Sequence, residues 1–272
     1  MTDDPTALLR LYDDQLRTHR HDREPEGVEM VADGPVFRIT GLGPGGWVVY
    51  RNLGGLEGEA LDELIQRQVR FFADRNMAFE WKLHGHDLPA DLPDRLRAAG
   101  FVPEERETIV IAPIERVSLD ADSPEGVRIR EVESRADYDR IADLEGAVWG
   151  EAFSAGWMDS LAAEQAADPE GTRIFLALHG DIAVSAAWLR LPSNTDFGTL
   201  WGGATRAEWR GRGIYRALVA RRARVAAERG RRYLQVDASD DSRPILERLG
   251  FIVVGTTTPY NWKPPTAETD EG

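Results

Sequence analysis

The chain has 272 residues, 42% of them hydrophobic and 29% charged, with a formal net charge of −14 and no cysteine. That length exceeds one typical domain and can supply a substantial core, so two domains are expected. The lack of cysteine excludes disulfides, thiolate nucleophiles and cysteine metal ligands, and the overall acidity argues against nucleic acid as a partner.

The first residues, Met1-Thr-Asp-Asp-Pro5, are acidic and contain no long apolar run, so a cytoplasmic protein with no membrane partner is expected. His19 with His21 and His84 with His86 form two His-x-His pairs, but neither has a third ligand nearby, and no metal site is expected. Trp47–Tyr50 reads as a strand, and Gly54–Ala60 as a glycine-bearing loop. In Ala60–Arg75 the residues Leu61, Leu64, Ile65, Val69 and Phe72 fall on one helical face. A strand over Ala78–Leu83, a short helix opened by Pro93, and a strand over Ile109–Ala112 follow.

The segment Leu119–Gly126 is acidic, turn-rich and nearly free of apolar residues, which suits a linker. The expected division is therefore a first domain over 1–118, a linker over 119–126, a second domain over 127–263, and a tail over 264–272 with almost nothing to bury. The second domain begins with a strand near 127–132 and helices near 136–148 and 155–167. Strands follow near 174–178, 182–191 and 197–205.

The next stretch, Arg210-Gly-Arg-Gly-Ile-Tyr215, reads as a loop between a strand end and a helix start. Gly211 and Gly213 lack Cβ atoms, so successive main-chain N–H groups can turn inward around an anion. The helix opening near Gly213 adds its unpaired N–H groups and the positive end of its dipole. From Arg206 to Arg232 the chain holds ten arginines against Glu208 and Glu228, a net +8 inside an acidic protein. After the helix come an alternating strand, Arg232–Ala238, a short helix ending at Gly250, and apolar Phe251–Val254.

This combination resembles the GNAT superfamily of N-acetyltransferases, in which an Arg/Gln-x-x-Gly-x-Gly/Ala loop cradles the pyrophosphate of acetyl-CoA. Arg210 and Gly213 match that loop, and Leu246-Glu-Arg-Leu-Gly-Phe251 matches the end of a second family signature. The pair Leu96–Phe101 repeats that second signature at an offset of 150, and a helix, strand, helix, strand order occurs twice. The resemblance implies an α/β (α+β) chain of two GNAT-like domains, each a mixed, mostly antiparallel twisted sheet flanked by helices. The first is a degenerate copy, because its loop carries Glu57 and Glu59 and no arginine, and like charge beside a pyrophosphate is unfavourable.

Two positions depart from the family. Tyr215 stands where Gly or Ala is usual, and Leu246 stands where many members carry a tyrosine that protonates the departing thiolate. The resemblance implies acetyl-CoA as co-substrate, bound by Arg210, Gly211, Arg212, Gly213, Ile214 and Tyr215, with the main chain of Gly203, Ala204 and Thr205 polarising the thioester carbonyl. An ammonium acceptor must first lose a proton, for which Asp237, a carboxylate within a strand, is the candidate base. Tyr260 on the last strand is the candidate acid, with Tyr215 as another. Trp149, Glu151, Trp157 and Asp159 lie where the family shapes its acceptor site. The expected function is N-acetyl transfer to a small-molecule or peptide amine in a ternary complex, by a monomer or homodimer. The alternative is a non-catalytic acyl-CoA-binding or sensor module.

Overall fold

A computed structural model describes residues 2–20, 26–120, 122–150 and 155–265. His21, Glu151 and the tail from Thr266 lie outside these residues. In chain order the elements are α1 (Pro5–Gln15), β1 (Glu29–Asp33), β2 (Val36–Thr40), β3 (Gly46–Tyr50), α2 (Gly58–Ala73), β4 (Phe79–His84), α3 (Leu92–Ala98), β5 (Val102–Pro103) and β6 (Glu107–Pro113). There follow β7 (Arg128–Glu131), α4 (Arg135–Trp149), α5 (Ala155–Ala167), β8 (Thr172–His179), β9 (Ile182–Arg190), β10 (Phe197–Thr205), α6 (Ile214–Glu228), β11 (Tyr233–Ala238), α7 (Arg243–Arg248) and β12 (Ile252–Trp262). The helix, strand, helix, strand repeat is present as α2-β4-α3-β6 and α6-β11-α7-β12. Helix α1 and strands β1 and β2 were not expected, and β12 includes Tyr260, as expected.

The chain forms two compact units, one of residues 1–26 and 107–255, the other of residues 27–106 and 256–272. In the larger unit the strands are ordered β6-β11-β10-β9-β8-β7. All these pairs are antiparallel except β10 with β11, which is parallel, as a strand-helix-strand crossover requires. One face is covered by α6 and α7, whose Ile214, Leu218, Ala223 and Leu246 pack on Val110, Leu189, Leu200, Leu234 and Val236. On the opposite face α4 and α5 bring Tyr138, Ile141, Leu144 and Leu161 onto Ile174, Ala186, Trp188 and Ala204. Helix α1 covers Ile109, Ile111, Phe197 and Tyr233 with Leu8 and Tyr12. Its N-terminus is capped by Asp4, which accepts the N–H groups of Thr6 and Ala7.

In the smaller unit β1, β2, β3 and β4 are neighbours, and β3 with β4 is again the parallel pair joined through a helix. The apolar face of α2 carries Leu61, Leu64, Ile65 and Phe72, which pack on Val36, Val48, Phe79 and Trp81. The 3.6-residue period that predicted this helix is the stripe it buries.

The expected division at 119–126 is not where the chain divides. Residues 107–255 lie in one unit, and Arg224 on α6 ties down this turn by donating to the Leu119 carbonyl and to Asp120. The reason is strand pairing. Strand β6, the last of the first repeat, pairs with β11 of the second, from Tyr233↔Pro113 to Ala238↔Thr108. The later part of β12, the last strand of the second repeat, pairs with β4 of the first, from Thr257↔His84 to Trp262↔Phe79. Each repeat completes the unit of the other.

Candidate active site

Strands β10 and β11 pair only from Phe197↔Tyr233 to Thr199↔Gln235. Beyond that β10 continues along β9 and β11 continues along β6, so the two parallel strands part and open a wedge. A bulge in β10 between Gly202 and Ala204 leaves Gly203 without a partner residue in β9. Glycine is required at both bulge positions. Gly202 has φ +70° and Gly203 φ +97°, and a Cβ would lie 2.5 Å from the Trp188 ring in the first case and 2.9 Å from the Tyr215 ring in the second.

The predicted loop follows directly. Gly211 and Gly213 have φ of +72° and +83°, and Gly213 is the N-cap of α6 with no side chain capping it. The first N–H groups of a fifteen-residue helix therefore face outward from a loop in which nothing lies within 4 Å of a Cβ built at Gly211. Arg210 and Arg212 are exposed beside it, Arg210 donating to the Thr205 carbonyl at 3.2 Å and Arg212 lying 4.6 Å from the centre of the Trp209 ring. An open main-chain cradle with two cations at its rim suits the diphosphate of a nucleotide carrier. Ile214, the first residue of α6, is buried.

A sequence model described as the Acetyltransferase (GNAT) family matches residues 138–251. Residues 138–251 are a GNAT domain. A GCN5-related N-acetyltransferase from Kribbella flavida is similar in fold, with a TM-score of 0.64 and 15% identity over 98% of this chain and 96% of its own. A second GCN5-related N-acetyltransferase, from Sphaerobacter thermophilus, gives 0.63 and 16% over 86% of this chain and 78% of its own. A tandem GNAT protein from the clavulanic acid biosynthesis pathway gives 0.57 and 12% over 90% and 86%. No curated protein matches the sequence. The family and fold point to acyl transfer, and members of the family generally use acyl-CoA.

Within the GNAT domain the candidate catalytic side chains separate. Asp237 lies on β11 two residues past the last pairing with β10, half-buried, and accepts the Gln235 amide at 2.8 Å. Tyr260 belongs instead to the smaller unit, where it is 3% exposed, pairs with Trp81 and lies among Phe79, Phe101 and Trp262. It is a core tyrosine, and the expected acid role is dropped. Leu246 is fully buried under the sheet, so the family's usual tyrosine position is part of the core here. Tyr215 lies against the bulge at Gly203, and burial raises its pKa while the Arg222 charge and a side-chain hydrogen bond with Ser242 oppose the rise.

Two charged residues of this domain were not found from sequence. Arg222, one of the ten arginines between Arg206 and Arg232, is 1% exposed and donates to the carbonyls of Leu218 at 3.1 Å, Trp188 at 3.2 Å and Trp201 at 3.1 Å. It ties α6 to β9 and to the residue preceding the bulge. Burial pushes its pKa down to about 10, which leaves it charged at neutral pH. Glu145, on α4, is 2% exposed and its Oε1 has no hydrogen-bond partner. Burial pushes its pKa up to about 7, against the opposing effect of a side-chain hydrogen bond from Trp149. The signal in sequence was a glutamate interrupting the apolar series Tyr138, Ile141, Val148. Among the described residues no group of histidines and acids is arranged to hold a metal ion, and no helix is long and apolar enough to cross a membrane.

Proposed function

We propose that this protein is an acetyl-CoA-dependent N-acetyltransferase that acts by direct attack of an amine in a ternary complex. The observation that carries the reading is the Arg210–Tyr215 loop, uncapped at Gly213, next to a bulged strand that parts from its parallel neighbour. In this reading the main-chain N–H groups of Gly211–Tyr215 hold the diphosphate, Arg210 and Arg212 add charge, and the pantetheine arm runs into the wedge. Main-chain N–H groups at Gly203, Ala204 and Thr205 polarise the thioester carbonyl. No cysteine is available for an acyl-enzyme, which favours direct transfer.

The test is binding. Gly213→Asp puts a carboxylate at the cradle, and Arg210→Glu with Arg212→Glu reverses the charge at its rim. Both variants are expected to abolish the rise in Tm that acetyl-CoA gives the wild type. A full shift in either variant would reject the loop as the cofactor site.

The burial of Leu246 favours a second reading, a GNAT-fold module that binds acyl-CoA without turnover. Release of free CoA that depends on an added amine separates the two, since a binding module releases none.

A further inference from the structure

Helix α4 starts at β7, where Asp137 is held by Arg130, and passes the turn between β8 and β9, where Arg140 donates to the Asp181 carbonyl at 3.2 Å. Strand order is β7-β8-β9-β10, and α4 packs on both β9 and β10. The last turns of α4, which carry Glu145, therefore lie over β9 and β10. The layer beneath is apolar and includes Trp188, whose ring backs Gly202, and Ala204, which closes the bulge. Trp157 on α5 meets the Trp188 ring at 5.1 Å between centroids.

The other buried or half-buried acids of this layer are committed. Asp137 is paired with Arg130 and Arg140, and Glu164 with Arg190 and Thr172. Among the described residues Glu145 is paired with no cation, and its Oε1 has no hydrogen-bond partner. A carboxylate withdrawn from water without a counter-charge is costly unless something supplies one.

We propose that Glu145 is the acceptor-binding carboxylate and proton acceptor of this site, and that the acceptor is a primary amine with a single positive charge on an aliphatic or aromatic body. The inference rests on the acyl-transfer reading above. One ammonium answers the one unpaired carboxylate. In the reaction Glu145 takes one proton from the ammonium, and the freed lone pair forms the C–N bond at the thioester carbonyl. The C–S bond then breaks with its electron pair on sulfur, and the second nitrogen proton goes to that sulfur to give free CoA. Glu145 returns its proton to water.

The test uses the full chain saturated with acetyl-CoA, with n-hexylamine and benzylamine as acceptors and spermidine as the polycationic control. CoA release is expected with the two monoamines and to be at least about tenfold slower with spermidine. Glu145→Gln keeps the shape without the charge. It is expected to retain the acetyl-CoA shift in Tm while kcat with the monoamines falls about 100-fold or more near pH 7. Its residual rate should climb about tenfold per pH unit as free amine accumulates, whereas the wild type flattens above about pH 7. Unchanged kcat and pH profile in Glu145→Gln, a preference for spermidine, or no turnover of either monoamine overturns the proposal. Failure of the wild type to bind acetyl-CoA overturns the acyl-transfer reading instead.

Discussion

Arg222 and Glu145 are both buried charges, and the domain treats them differently. Arg222 spends its N–H groups on three carbonyl oxygens, so main-chain dipoles compensate the charge. Glu145 keeps an unpartnered oxygen, and burial lifts its pKa from 4.5 to about 7. Because the folded value lies above the unfolded one, the folded state holds the proton more tightly. Stability linked to this group is complete below about pH 4.5 and is lost as pH rises through about 7. A shift of this size is worth about 3 kcal/mol. Glu145→Gln has no charge to bury, so it should exceed the wild type in urea unfolding by under about 1 kcal/mol at pH 5 and by about 3 kcal/mol at pH 8. A gap that does not widen with pH would mean that the carboxylate is solvated.

At the scale of the element, the orientation of α4 depends on its first turn. Ser134 caps the helix without a side-chain hydrogen bond, and Asp137 takes over the task by accepting the Glu133 N–H at 2.9 Å. Its carboxylate is also held by Arg130 at 2.6 and 2.8 Å and by Arg140 at 3.0 Å. The Arg130 hydrogen bonds, with the main-chain donors, hold its pKa well below the usual carboxylate range despite burial. A depressed folded value means that this stability is present above about pH 4 and is lost as pH falls further. Asp137→Asn should cost on the order of 3 kcal/mol at pH 7, and the difference from wild type should shrink as both are titrated below about pH 3. A loss that is independent of pH would point to packing rather than charge.

Elements whose period is carried by their own residues were legible in the sequence. The stripe Leu61, Leu64, Ile65, Phe72 gave α2, and the alternation Tyr233, Gln235, Asp237 gave β11. The Arg210–Tyr215 loop was legible for a similar reason, since a positive φ at Gly211 and Gly213 is a local demand. Helix α1 was not found, because only Leu8 and Tyr12 of its residues are buried and their partners lie about a hundred residues or more away on β6, β10 and β11. Strands β1 and β2 expose or half-expose most of their residues and show no clean alternation. Burial of Arg222 and Glu145 is a tertiary property. A charged residue reads as surface until its neighbours are known.

For the whole molecule, the consequence lies in how the two repeats share strands. A cut at 119–126 respects every local signal in the sequence, yet it removes α1 and β6 from the larger unit and Thr256–Trp262 from the smaller one. The fragment 127–272 would leave β11 without its antiparallel partner and would expose Phe197 and Tyr233, which Leu8, Tyr12, Ile109 and Ile111 cover. The fragment 1–118 would leave β4 and β5 unpaired on the side taken by β12 and would open the cluster around Trp81 and Phe101. Each uncovered large side chain costs about 1.5–3 kcal/mol, so a few of them exceed the whole margin of a typical domain. Expressed alone, each fragment should lack a cooperative thermal transition and be recovered aggregated. Expressed together, the two should co-purify and regain both the transition and the acetyl-CoA shift in Tm, because the missing strands are supplied in trans. If 127–272 alone melts cooperatively and responds to acetyl-CoA, the second repeat is self-sufficient and the exchanged strands are not what completes it.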